Sequence, residues 1–213
     1  LFLVRNGNPK GIKDWDDLVK PGVQVIVVNP KTGGNGRMAY LAAWGAVRKK
    51  GGTDALAAEF IAKLYKNVPV LAKGGRDATS IFLQRNIGDV LITFESEVVS
   101  VDKEFGAGKV DAIHPSSSIV AENPVAVVER TVAKKGTAAE ARAYLNFLYS
   151  DAGQEIAAQH AIRPSNPAIL KKYASTFKPI QLFTVDEFFG SFAEAQKLHF
   201  NDGGQFDKLY TVK

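Results

Sequence analysis

The chain has no cysteine and only one methionine, Met38, in 213 residues. Without thiols there is no disulfide frame, no Cys-ligated zinc and no thiol nucleophile, and such a chain suits an oxidising compartment. No apolar run approaches the roughly 18 residues a membrane-spanning helix needs. A one-signed charge block is also missing. The 27 Lys and Arg stand against 22 Asp and Glu, a net charge of +5, and basic residues form only short runs such as Lys134-Lys135 and Lys171-Lys172. That scatter reads as a solvated surface with no nucleic-acid footprint.

What is present is an ordinary globular composition, 46% hydrophobic and 23% charged, which excludes a disordered tail and a collagen. A chain of this length buries about 70% of its unfolded surface on folding, enough for one large domain or two small lobes. It starts at Leu1, with its one methionine at position 38, which points to a processed, engineered or partial chain. A missing export signal therefore carries no information.

Short β-branched runs alternate with helical stretches, the pattern of βαβ units and a largely parallel sheet, so the expected class is α/β. Strands are expected at 1–5, 23–28, 68–71, 89–94, 110–113 and 125–129. The segment 53–66 places Leu56, Phe60 and Leu64 on one helical stripe with Ala57 and Ile61 beside it, a face to pack on the sheet. Thr137 and Glu140 have capping-box spacing ahead of another helix. The tail from 186 to 199 reads as helical, with Phe189, Phe192 and Ala193 on one side. The composition suggests two regimes, an α/β portion over 1–93 and a mixed, increasingly helical portion over 94–213.

The most informative segment is Val25-Ile26-Val27-Val28-Asn29-Pro30-Lys31-Thr32-Gly33-Gly34-Asn35-Gly36-Arg37. It reads as a strand, a glycine-rich loop and a helix starting near Met38. The first N–H groups of a helix lack intrahelical partners and carry the positive end of its dipole, so this order of elements can hold an anion. Neither the Walker nor the dinucleotide spacing is present. The same architecture recurs where Val68 to Leu71 leads through Lys73-Gly74-Gly75-Arg76-Asp77-Ala78-Thr79 into a second helix. In an open α/β sheet the C-terminal ends of parallel strands face one crevice, so both turns can point amides at one ligand. Thr32 adds a hydroxyl. Arg37 and Arg76 follow the glycines, where they either balance ligand charge, tie down the loops or cap a helix through a surface ion pair.

His114, His160 and His199 have no metal-ligand spacing and read as packing or surface residues. Ser116 to Ser118 read as a loop. Glu95 and Glu97, at i and i+2 on an extended segment, share one face, but no base or metal accompanies them. Trp15 and Trp44 read as core anchors. No nucleophile and base pair emerges, no cofactor is called for, and the chain does not read as an enzyme.

Several of these segments together are similar to the periplasmic sulfate-binding proteins of ABC importers. They are Asn29-Pro30-Lys31 with the glycine-rich loop and Arg37, Tyr40 to Gly45, Gly74 to Thr79, Gly88 to Ile92, Tyr149-Ser150 with Gly153 to Ala157, Leu182 to Glu187 with Gly190, and His199-Phe200 before Gly203 to Asp207. The resemblance covers essentially the whole chain. It implies a type II periplasmic-binding-protein fold, two α/β lobes with mostly parallel sheets, the first lobe incomplete because the family's opening segment is missing. That loss would leave apolar surface exposed after about residue 95.

The resemblance further implies sulfate, or a similar tetrahedral oxyanion, held between lobes by uncharged donors and delivered to the permease subunits of an ABC importer. The location would be the periplasm, reached by a signal peptide absent from this chain, and a separate opening segment could complete the site in trans. Carried over by position, the family's main-chain donors fall on Gly33, Gly34 and Asn35 in the first turn and on Gly75 in the second. The family's serine at position 33 is glycine, leaving Thr32 as the nearest hydroxyl, and its sulfate-contacting tryptophan falls on Phe94, which has no donor. Asp77 stands where a glycine is expected. It either caps a helix starting at Ala78 or accepts the proton of a phosphate. Thiosulfate, phosphate and molybdate are therefore alternative ligands, and the effector-binding domain of a LysR-type regulator, similar in fold and length, is the alternative from another class.

Overall fold

The computed structural model describes residues 1–106, 108–122 and 124–210, with backbone alone at 99, 100, 102 and 103. It divides into two compact units, one formed by Leu1–Ala121 with Ile180–Lys213 and the other by Glu122–Pro179.

The first unit is built on a sheet of β1 (Phe2–Arg5), β2 (Val25–Val28), β3 (Leu71–Ala72), β4 (Val90–Ile92) and β5 (Val110–Ile113), in the order β3-β2-β4-β1-β5. Strand β2 runs parallel to both β3 and β4, while β1 lies antiparallel between β4 and β5. Side chains alternate across a strand, and the two faces have separate cores. Phe2, Val4, Val25, Val27, Val90 and Ile92 join one core. Leu3, Ile26, Val28, Leu91 and Val110 join the other.

The first face is covered by α1 (Gly34–Lys49) and α2 (Asp54–Lys66), the second by α3 (Gly75–Leu83) and α4 (Glu95–Phe105). Thr53 caps α2 by accepting from the Leu56 amide at 3.3 Å. The buried stripe of α2 is Ala57, Phe60, Ile61, Leu64 and Tyr65. Leu56, expected on that stripe, is 51% exposed in the first turn of α2, ahead of the buried Phe60 and Leu64.

The chain leaves this unit after β6 (Ser117–Ile119) and returns at β7 (Gln181–Phe183), which pair in parallel. The expected serine loop at 116–118 is thus largely strand, and Trp15 Nε1 donates to the Ser117 carbonyl at 2.8 Å. Trp15 and Trp44 are buried core anchors as expected. A boundary at residue 94 cuts through the sheet, because β5 pairs with β1 and the returning tail packs on the first core. Residues 94–121 and 180–213 consequently belong with 1–93.

The second unit contains α5 (Glu129–Lys135), α6 (Ala138–Leu148), α7 (Asp151–Gln159) and α8 (Pro167–Lys172). The strand expected at 125–129 does not form, since no described segment of this unit offers a strand to pair with. Its packed cluster is small, centred on Ala158, Ile169 and Phe177. Helix α6 buries no residue, and Val128, Tyr144, Phe147, Tyr149, Ile156 and Ile162 are exposed. The expected uncovered apolar surface is therefore present here.

Back in the first unit, the tail forms α9 (Val185–Phe189), α10 (Phe192–Ala195), a single π-helical turn at Gln196–Phe200 and α11 (Gln205–Leu209). The continuous helix expected from 186 to 199 breaks at Gly190, whose φ of 74° lies in the left-handed region.

Candidate functional site

Strands β2 and β3 end side by side, with Val28 opposite Ala72. The Asn29 amide donates to the Ala72 carbonyl at 2.8 Å, so the two turns that follow begin in register. The first turn tightens at once, because the amides of Thr32 and Gly33 both donate to the Asn29 carbonyl, at 3.1 and 3.0 Å. The Asn29 side chain holds the Lys31 amide at 2.9 Å. Helix α1 then starts at Gly34, four residues ahead of the expected start, so the glycine-rich stretch is the first helical turn and not a loose loop.

The reason glycine is required is clearest at Gly36. A Cβ there would run into the Val28 carbonyl oxygen and come within 2.8 Å of the backbone of Asn29 and Pro30. The helix can sit this close to its own strand only without a side chain at that point.

Neither α1 nor α3 has a side-chain cap. Their N-cap residues are Gly33 and Gly74. Among the described residues no acceptor takes the amides of Gly34, Asn35 and Gly36, nor those of Gly75, Arg76 and Asp77. The two turns abut. A Cβ placed on Gly75 would lie 3.6 Å from Asn35 Nδ2, and one on Gly33 would lie 3.9 Å from the Lys73 carbonyl oxygen. Two helix N-termini, each carrying about half a positive charge, therefore meet at one edge of the sheet.

The residues named from the sequence divide as follows. Gly34, Asn35 and Gly75 stand together with amides unclaimed. Gly33 stands with them, but its amide is already used by Asn29, so it cannot also donate to a ligand. The Thr32 hydroxyl is exposed and leans on the same Asn29 carbonyl at 3.4 Å. Phe94 lies three residues beyond Leu91, which pairs with Ile26, and is half-buried at the same end of the sheet.

Arg37 ties down the first loop, with Nε donating to the Pro30 carbonyl at 3.0 Å. Arg76 is exposed and paired with Glu104 on α4, which raises its already high pKa. Asp77 lies inside the first turn of α3, and does not cap a helix at Ala78. Its carboxylate reaches back to accept the Lys73 amide at 2.8 Å, bracing the second turn. Glu95 and Glu97 occupy the first turn of α4, where i and i+2 side chains diverge and cannot act as a pair.

His199 is 1% exposed. Its Nδ1 lies 3.0 Å from the Tyr40 hydroxyl. Burial pushes its pKa down to about 4, against a smaller opposing pull from Asp54. Among the described residues no group of three or more acidic or histidine side chains could hold a metal ion. The arrangement gathers the open main-chain amides of two helix N-termini, with Arg37 held by the Pro30 carbonyl and Arg76 by Glu104.

The architecture is a doubly covered sheet with two uncapped helix N-termini side by side. A family model for bacterial extracellular solute-binding proteins matches residues 1–163, and the chain belongs to that family. It is 54% identical over 211 residues to the thiosulfate-binding protein of Pseudomonas aeruginosa and 50% identical over 210 residues to the sulfate-binding protein of Escherichia coli. It covers 64% of each of those proteins, while they align with 99% and 98% of this chain. Among solved structures, the sulfate-binding protein SubI of Mycobacterium tuberculosis matches 99% of this chain and 68% of its own, with a TM-score of 0.76 at 32% identity. The fold is that of the type II periplasmic binding proteins.

Proposed function

We propose that this protein captures a sulfur oxyanion, sulfate or thiosulfate, in the periplasm and hands it to the permease subunits of an ABC importer. The observation that carries this reading is the meeting of two uncapped helix N-termini, with Gly75 against the Asn35 side chain. Amides held in helical first turns replace water around a dianion without reorganising, and no ionised side chain has to touch it. Such a site selects against protonated anions, because an oxyanion O–H would face N–H groups.

The names of the 54% and 50% relatives support a sulfur oxyanion over phosphate and molybdate, and a transport role over a LysR-type regulator. Thiosulfate has one specific point in its favour. Phe94 offers no donor at the position where the family resemblance places an indole, and a terminal sulfur, being a weak acceptor, loses least there.

The test is a titration of the 15N-labelled chain with sulfate and with thiosulfate, against chloride at matched ionic strength. Shifts of the amide resonances of Gly34, Asn35, Gly36 and Gly75, saturating with either oxyanion and absent with chloride, are the expected result. Shifts elsewhere only, or the same response to chloride, would remove the reading.

A further inference from the structure

The anion turns are not held by the sheet alone. The returning tail meets the first turn and the start of α1 at three places, all within the first unit. Lys31 Nζ lies 3.0 Å from Asp207 Oδ2 and 3.1 Å from Asp202 Oδ1. The Arg37 guanidinium sits 5.9 Å from the centre of the Phe200 ring, while its Nε holds the Pro30 carbonyl. One turn further along α1, the Tyr40 hydroxyl meets His199. Asp207 is itself fixed, since Oδ2 also accepts the Gly203 amide at 2.8 Å.

Lys31 sits between the two residues that set the geometry of this turn, Asn29 and Gly33. Its ammonium is engaged by two carboxylates of the tail. We propose that Lys31 and Asp207 form a brace by which the C-terminal segment 199–207 positions the first anion turn, making both positioning residues for a ligand neither one touches. This rests on the function proposed above, but it concerns the chain before any anion arrives.

The brace has two consequences. It fixes the turn in which the Thr32 and Gly33 amides share the Asn29 carbonyl, so the amides of 34–36 are presented ready-made. It also engages the Lys31 ammonium with two carboxylates of the tail, so this cation brings no free charge to the ligand.

The experiment uses the whole chain with Lys31→Ala, Asp207→Asn and the conservative Lys31→Arg. Amide hydrogen exchange is read without ligand, and sulfate affinity is read from the Gly34 and Gly75 resonances. Lys31→Ala and Asp207→Asn should speed exchange at Thr32 and Gly33 about two- to five-fold, the scale of an exposed ion pair, while the amides of α2 keep their rates. Lys31→Arg should restore the slow exchange, and sulfate affinity should fall by a similar factor in the two disrupted variants.

Unchanged exchange at Thr32 and Gly33 would overturn the brace, and so would an equal acceleration throughout α2, which marks general destabilisation. The exchange result stands apart from the anion reading. Loosening at Thr32 and Gly33 in a chain that never responds to sulfate would leave the brace and remove the ligand. A sulfate response that is identical in all three variants would do the reverse.

Discussion

Acidification should weaken the first unit between pH 6.5 and pH 4, and His199 sets both limits. Its imidazole is sealed among Tyr40, Trp44, Phe189 and Phe200, with ring centroids 4.6 to 6.0 Å away. Burial lowers its pKa to about 4, while the unfolded chain protonates it near 6.5. Below pH 6.5 the unfolded state binds a proton that the folded state refuses, so stability falls with pH until the folded protein also protonates near 4. At about 1.4 kcal/mol per unit, the loss across this window reaches about 3 kcal/mol. Carboxylates with lowered pKa, such as Asp17 at about 2, lose their contribution only at lower pH and do not overlap most of this range.

The measurement is urea unfolding at a series of pH values, followed by tryptophan fluorescence. Both tryptophans lie in the first unit, Trp44 with its ring edge-on to His199. Replacing His199 by Gln removes the titration, so the variant should be less stable at pH 7 yet almost flat between 6.5 and 4. If His199→Gln kept the slope of the parent chain, the assignment of that slope to His199 would be wrong.

Three further outcomes follow from the geometry. Gly36→Ala should cost about 1–3 kcal/mol, because the backbone of Asn29 and Pro30 cannot yield to a new methyl group, and it should weaken sulfate binding by displacing the start of α1; unfolding curves with a sulfate titration read both. Arg5→Ala strands the carbonyls of Phe82, Ile87 and Gly88, which the guanidinium holds at 2.7 to 3.2 Å, and should cost about 2–3 kcal/mol in urea, with Arg5→Lys failing to restore it because an ammonium lacks the fork. Phe94→Trp supplies the indole donor that the family resemblance places there and should tighten sulfate about ten-fold or more in calorimetry, the value of one hydrogen bond to a charged acceptor.

Local residue pattern was enough to find most of the sheet and the two glycine-rich turns. Short β-branched apolar runs located β1, β2, β4 and β5, because a strand covered on both faces must be apolar along its length. The paired glycine-rich turns were legible because a helix N-terminus that leaves its amides open needs residues without capping side chains, as at Gly33 and Gly74. What sequence could not reach was anything fixed by pairing over long separations. The strand expected at 125–129 failed for want of a neighbour, whereas Ser117–Ile119 became one because Gln181–Phe183 returned beside it. Gly33 was expected to offer its amide, yet the turn spends it on Asn29, a geometry set by how β2 enters the loop. The contacts of Lys31 with Asp207 and of Tyr40 with His199 join residues more than 150 positions apart. Local pattern holds no record of such meetings, and only the packing of the returning tail against α1 brings them about.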